Sequence, residues 1–557
     1  MSILAFARTT PDKPAMIGGE AGEAIDFATL NAESMRLARV LRRSLGEGAR
    51  VALLMENVAA VYVAAWACRR SALRFVPVNW HLSRDEAAYV LTNSDAEALI
   101  VSPGLAELAL DLATVVPHLK LLFSSGEAFG PFTSLPVAID TEPNEPFGIE
   151  TEGNYMFYSS GTTGKPKGIL RALSGDPFNT PLRIEQMMAG LFTFDDTSVF
   201  YSPAPLYHAA PMGWSMGAQM LGGTVVVPRR FDAEATLAHI ERYRVTHAQF
   251  VPTHFVRMLQ LPPETRAKYD LSSLRMVVHA AAPCPVDVKE RMLEWLGPII
   301  YEYYGLSEGG GFTIVRPEEW VVRKGTVGRT VTGPIHVVDD AGNELPPGEV
   351  GHLMFEAPEI FEYHNEPAKT ADFFDARGWS RPGDMGWMDA DGYLFLADRS
   401  SNMIISGGVN IYPQEAEAVL TLHPAIRDVA VIGVPDKEFG EAVKAVVELK
   451  SGLQPTDALG EEILDYCRAR LSKFKCPKSI DFVDELPRLP TGKLLKRELR
   501  KHYWKEGTNQ IVASLTDAQR AKMGSKCLDQ SMGLRAGRSE QTAVHGGCAA
   551  NFSNEDP

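Results

Sequence analysis

The sequence predicts an α/β protein: a large N-terminal domain of α/β subdomains, then a small α+β domain. Three observations carry this. Strand-like runs alternate with helix-length segments up to about residue 300, and a shorter strand–strand–helix–strand pattern begins past residue 400. The chain has 557 residues, whereas single cores stop growing near roughly 250–300 residues.

The elements follow in order. Arg50–Leu54 reads as a strand, Val58–Arg69 as a helix and Phe75–Val78 as the next strand. More strand-like runs fall at Ala98–Val101, Thr224–Val227, Ala248–Val251 and Met276–His279. Such alternation argues for βαβ units and a mostly parallel sheet. Asp287–Trp295 reads as an amphipathic helix with Val288, Met292 and Trp295 on one side. A boundary is expected near Asp398-Arg399-Ser400-Ser401-Asn402. Strands Val429–Val434 and Ala442–Leu449, helix Glu461–Leu471 and strand Ser479–Val483 lie beyond it. The expected domains are therefore 1–397 and 398–504. The 505–557 tail is rich in Gly, Ser, Asn and Gln and is expected to be mostly disordered.

Composition narrows the function classes. A net charge of -15 and a pI near 5.4 argue against a general nucleic-acid binder, which carries a basic footprint. Six well-separated cysteines with no CxxC pair fit reduced thiols in a cytoplasmic enzyme. The N-terminus lacks the basic start and long apolar core of a secretory signal. The uncharged stretch Ala209–Pro228 is about long enough to cross a bilayer. Its glycines, Pro211 and Gln219 instead make it a buried helix running into the Thr224–Val227 strand, so no transmembrane segment is expected.

The chemistry concentrates in a few runs. Tyr158-Ser159-Ser160-Gly161-Thr162-Thr163-Gly164-Lys165-Pro166-Lys167-Gly168 gathers hydroxyls, glycines and lysines behind the apolar run Tyr155–Tyr158. Backbone N–H groups in such a turn form an anion-binding concavity, and lysines add charge for phosphate. It is no Walker A loop: position 159 is Ser, and Pro166 follows Lys165 where a magnesium-binding hydroxyl belongs. Tyr301-Glu302-Tyr303-Tyr304-Gly305-Leu306-Ser307-Glu308 offers stacking rings, a hydroxyl and a carboxylate suited to Mg²⁺, a hard cation that prefers oxygen. Taken singly, Asp384, Arg399, Gly407-Gly408 and Lys493 read as surface charges or a tight turn.

Together these runs resemble the adenylate-forming superfamily of acid-CoA ligases, luciferases and peptide-synthetase adenylation domains. The resemblance spans about Pro11 to Lys501. It implies mixed sheets in the large domain and a mobile small one. Ser159, Ser160, Gly161, Thr162, Thr163, Gly164, Lys165 and Lys167 would then grip the ATP phosphates. Tyr304 would lie on adenine, Ser307 near the α-phosphate and Glu308 on magnesium, while Asp384 and Arg399 would hold the ribose. Lys493 in Pro487-x-x-x-x-Gly492-Lys493 would be the catalytic lysine, and Gly407-Gly408 would line the channel for the CoA thiol. Two departures stand out: Ser401 where relatives carry a charged hinge residue, and Ala280-Ala281-Ala282 where many carry glycines.

The resemblance also implies the reaction. A carboxylate attacks the α-phosphorus of Mg-ATP, and the CoA thiolate then takes the acyl group and expels AMP. The acyl pocket is expected along His208, Ala209, Gly213 and Trp214, with Ala280 and Ala281 opposite and His208 gating the carboxylate. Small residues beside Trp214 suit a bulky apolar acid: fatty, steroid side-chain or arylalkanoic. The partners are thus a small carboxylic acid, ATP and CoA, with room for a homodimer. Two other readings stay open. One is an adenylating enzyme that loads a carrier protein; the other is an inactive nucleotide-binding regulator.

Overall fold

Four sheets organise the computed structural model, which describes residues 2–18, 23–146, 148–159, 165–356, 360–488 and 494–504. The chain divides into a unit Met1–Arg500 and a unit Lys501–Pro557. Of the second, only residues 501–504 are described, so the expected disorder of 505–557 lies outside the described residues.

One sheet is wholly parallel, in the order Thr133–Ser134, Leu121–Ser124, Ala96–Val101, Arg50–Leu54, Arg74–Pro77, Asn154–Tyr155. Val51–Leu54 is buried throughout, which explains its unbroken apolar run: a parallel strand is covered on both faces. The helix Ala59–Arg69 covers it and is also buried. Its terminal Arg69 is 2% exposed and pairs with Glu152 and Glu185, as a desolvated charge requires.

The largest sheet changes character part-way. Pro14–Gly18, Thr224–Val227, Val199–Tyr201, His247–Phe250, Met276–His279 and Ile300–Gly305 run parallel. Beyond Ile300–Gly305 the neighbours are antiparallel: Phe312–Val315, Thr326–Thr330, Leu394–Arg399, Asp384–Met388, Gly351–Glu356 and Ile335–Val338. The sheets are therefore mixed, and Ile300–Gly305 is the seam. Alternation along its neighbours puts Gln249, Val278, Tyr301 and Tyr303 on one face and Phe250, His279, Glu302 and Tyr304 on the other.

Ala209–Pro228 folds as read: helix Ala209–Met220, a turn, then the buried strand Thr224–Val227. The turn needs Gly222, whose φ is +87° and where a Cβ would lie 2.4 Å from the Phe6 ring. No helix among the described residues is long and apolar enough to cross a membrane.

A separate sheet, Val409–Ile411, Ile404–Ser406, Gly440–Leu449 and Ile426–Asp436, takes Ser479–Val483 as a parallel neighbour. Its core joins Ile404, Leu420, Val431, Val443, Val447 and Ile463. The two central strands extend past the predicted runs because their ends pair with each other through Pro435 and Asp436.

Candidate active site

The two ends of the phosphate-loop run are antiparallel neighbours. Strand Phe157–Ser159 pairs with Lys167–Leu170, with Ser159 opposite Lys167 and Tyr158 opposite Gly168. Ser160, Gly161, Thr162, Thr163 and Gly164 lie outside the described residues. Lys165 Nζ sits 4.8 Å over the Tyr89 ring, and Tyr89 Oη donates to the Pro166 carbonyl at 3.2 Å. Lys167 Nζ lies 4.5 Å over the Tyr363 ring. Burial lowers the Lys167 pKa, helped by Lys369 and opposed by Glu308 and Glu366. Both lysines are thus held at the mouth of the hairpin by aromatic faces.

Tyr363 links the hairpin to the second motif. Its hydroxyl donates to Glu308 Oε1 at 2.9 Å, and Arg171, just past the hairpin, donates to the Ser307 carbonyl at 2.8 Å. Tyr304 closes the seam strand, and its Oη donates to Asp384 Oδ2 at 2.6 Å. Asp384 Oδ1 stands 3.1 Å from Arg399 Nε on the neighbouring strand, directly across the ladder. Desolvation first, then the Asp384 carboxylate, raises the Tyr304 pKa well above normal, so the phenol remains a donor. Asp384 is 7% exposed, and each of its oxygens keeps a second lone pair for a further donor. Two linked sets, Tyr304–Asp384–Arg399 and Glu308–Tyr363–Lys167, are thus anchored on the seam strand and the turn that follows it.

The donor set at Glu308 suits a cation that arrives with phosphates. No group of three or more His, Cys, Asp or Glu side chains that would hold a metal exists among the described residues. One carboxylate beside phosphate oxygens is how Mg²⁺ is commonly held.

The segment expected to hold the acid is built differently. His208 stands at the N-cap position of the helix Ala209–Met220 without a side-chain capping bond, and Ala209, Ala210 and Gly213 are half-buried along its first turns. A Cβ at Gly213 would meet no atom within 4 Å. Trp214 points the other way and is 2% exposed, stacked 5.7 Å from Tyr303 and edge-on to Phe192 at 4.8 Å. Burial pushes the Tyr303 pKa up to about 12. Ala280 is buried, whereas Ala281 is exposed with φ +73°, the left-handed region that favours glycine.

Gly407 and Gly408 form the exposed tip of the Ile404–Ser406/Val409–Ile411 hairpin, with φ +59° and +82°. Lys493 lies outside the described residues, but the helix after it, Lys496–Tyr503, reaches the boundary segment. Lys496 Nζ stands 2.9 Å from Glu417 and 3.8 Å from Asp398, and Arg500 Nη1 donates to the Ser401 carbonyl at 3.1 Å. A cation thus reaches Ser401 from Arg500, although the side chain there is neutral. The sequence reading missed Tyr363, Lys496 and Arg500. Nothing local marks Tyr363; the i, i+4 spacing of Lys496 and Arg500 is a signal that places both on one helix face.

The model of the AMP-binding enzyme family matches residues 4–363. The chain belongs to that family. The AMP-binding enzyme C-terminal domain matches residues 415–493. This AMP-binding enzyme is 35% identical over 503 residues to a feruloyl-CoA synthase of an Amycolatopsis species, covering 89% of this chain and 97% of the relative. It is 31% identical over 519 residues to ScoC, a fatty acid–acyl-carrier-protein ligase of Streptomyces coeruleorubidus, covering 91% and 96%. Among solved structures it is similar to the o-succinylbenzoate CoA synthetase of Bacillus subtilis in complex with its acyl-adenylate intermediate. The TM-score there is 0.74 and the identity 27%, over 90% of this chain and 97% of that one. The AMP-binding enzyme is an AMP-forming acid–thiol ligase of the adenylate-forming superfamily.

Proposed function

We propose that this enzyme joins an apolar carboxylic acid to CoA in two ATP-dependent half-reactions, and that the acid is preferentially aromatic. The observation that carries this is the linked set Tyr304–Asp384–Arg399 and Glu308–Tyr363–Lys167. In our reading, the hairpin lysines and the 160–164 backbone hold the triphosphate. Asp384 accepts the ribose hydroxyls while Tyr304 and Arg399 fix its carboxylate, and Tyr304 presents its ring to adenine. Magnesium bound at Glu308 would supply charge neutralisation as pyrophosphate leaves.

In the first half-reaction the substrate carboxylate attacks the α-phosphorus, a P–O bond to pyrophosphate breaks, and Lys493 stabilises the charge between the reacting groups. In the second, the CoA thiolate attacks the acyl carbonyl and AMP departs. We assign the large domain to 1–397 and the moving domain to 398–504, with rotation withdrawing Lys493 and bringing Gly407-Gly408 toward the thiol. Cytoplasmic action fits the four free cysteines among the described residues.

The preference for an aromatic acid rests on the similarity to a feruloyl-CoA synthase, and on the open Gly213 position between the half-buried Ala209 and Ala210 and the buried core ring Trp214. Transfer to a carrier protein is the second reading, favoured by the similarity to an acyl-carrier-protein ligase. The test is a panel of aryl, arylalkanoic, steroid side-chain and fatty acids, scored by acyl-CoA mass with CoA or a phosphopantetheinylated carrier as acceptor. Acid-dependent pyrophosphate release without acyl-CoA product would overturn the CoA reading.

A further inference from the structure

On the face of the seam strand opposite Tyr303 lies a buried ion pair that the proposed reaction does not use. Lys289, in the first turn of the helix Val286–Leu296, places Nζ 2.6 Å from Glu302 Oε2 on the seam strand. The two side chains are 0% and 7% exposed. His279 Nε2, at the end of the neighbouring strand, is 3.4 Å from the same oxygen, and the ammonium lies 4.7 Å over the Trp320 ring. Burial keeps the imidazole neutral, its pKa well below normal, so the carboxylate's charged partner is Lys289.

The pair ties together the elements that carry site residues. His279 immediately precedes Ala280-Ala281. Lys289 follows Pro285, which closes the 280–285 loop, and Glu302 shares a strand face with Tyr304 two residues on. The loop is itself strained, since Ala281 sits at φ +73° without being glycine. Strained backbone persists only where its surroundings over-determine it. Buried ion pairs, by contrast, are poor stabilisers, and hydrophobic replacements of similar volume are often no less stable. Register and position are what such a pair supplies.

We propose that Lys289 and Glu302 are positioning residues that hold the 280–285 loop and the Tyr304 strand end at a fixed separation, and thereby set the geometry of acid activation. This rests on the ligase reading above. The test removes both charges at once with Lys289→Met and Glu302→Leu. The melting midpoint should stay within about 3 °C of wild type. The kcat/KM for acid-dependent pyrophosphate release should fall about 10- to 100-fold, the scale of a small misplacement. Amide exchange at Ala280, Ala281, Ala282, Cys284 and Tyr304–Glu308 should quicken about tenfold while the strands themselves stay protected.

Unchanged kcat/KM and unchanged exchange would overturn the proposal. So would an activity loss that tracks a falling midpoint without the local change in exchange. If the double variant does not fold, Glu302→Asp, which keeps the charge and shortens its reach, is judged by the same criteria. A wild type without acid-dependent pyrophosphate release would count against the ligase reading, while the exchange comparison would still judge the pair.

Discussion

The surroundings of Tyr304, which we assign to the nucleotide, and those of Gly213, which we assign to the acid, are built on opposite principles. Around Tyr304, Asp384, Arg399, Glu308 and Lys167, charged, hydroxyl and ring groups are paired with one another. Around Ala209, Gly213 and Ala281, side chains are small, and the space a Cβ would take at Gly213 is empty. A chemistry shared by every substrate needs fixed dipoles, which cost no reorganisation when charge develops. A substrate-specific pocket needs only volume and shape, and one methylene can reset both.

That contrast can be broken in four ways. The largest expected effect is on charge stabilisation. Lys493→Ala should lower adenylate formation about 10³-fold yet spare thioester formation from supplied acyl adenylate. Single-turnover assays of the two half-reactions measure this, and equal loss in both would contradict the assignment.

Next comes pH, which should act through the core packed on Trp214 and Phe194. His247 is fully buried, packs 4.2 Å from Phe194, and has its pKa lowered to about 4, chiefly by desolvation. The folded value lies below the unfolded one, so the stability is present above about pH 6.5 and lost as pH falls through about 4. That is about 3 kcal/mol in all. Chemical denaturation between pH 7 and 4 should show this loss together with that from the buried His254 and His279, and His247→Asn should remove its share of the slope.

Third, Asp384→Asn keeps the shape and removes the charge facing Arg399. The KM for ATP should rise about 30-fold, the scale of a charge-assisted hydrogen bond. The KM for acid should stay within about twofold. A matching rise in both would mean that the two sides are not separable. Smallest is Gly213→Leu, at a position where a Cβ would meet no atom within 4 Å. It should cost bulky acids about tenfold in kcat/KM and leave small acids and ATP unaffected, as competition assays would show.

How much was legible varies along the same divide. Arg50–Leu54, Thr224–Val227 and Met276–His279 became strands at the predicted residues, because a buried parallel strand announces itself as a continuous apolar run. The antiparallel half of the large sheet was not legible, because its short strands take partners up to about 70 residues away, as Thr326 does with Phe395. Tyr363 gave no local signal for the same reason: its partners, Glu308 and Lys167, come from two other chain segments.

The sequence by itself determined the residue types of the nucleotide side, since a phosphate hairpin, a Tyr-Gly-x-Ser-Glu turn and a Gly-Asp pair are local patterns. Tertiary structure alone decided how they meet: Tyr304 on Asp384, Glu308 through Tyr363 to Lys167, and Lys289 on Glu302 beneath them. It also decided that Trp214 turns into the core while Gly213 faces open space. Local pattern follows from covalent and backbone preferences over a few residues. Which buried charges and rings face one another depends on packing elements distant in sequence, where desolvation makes each pairing matter.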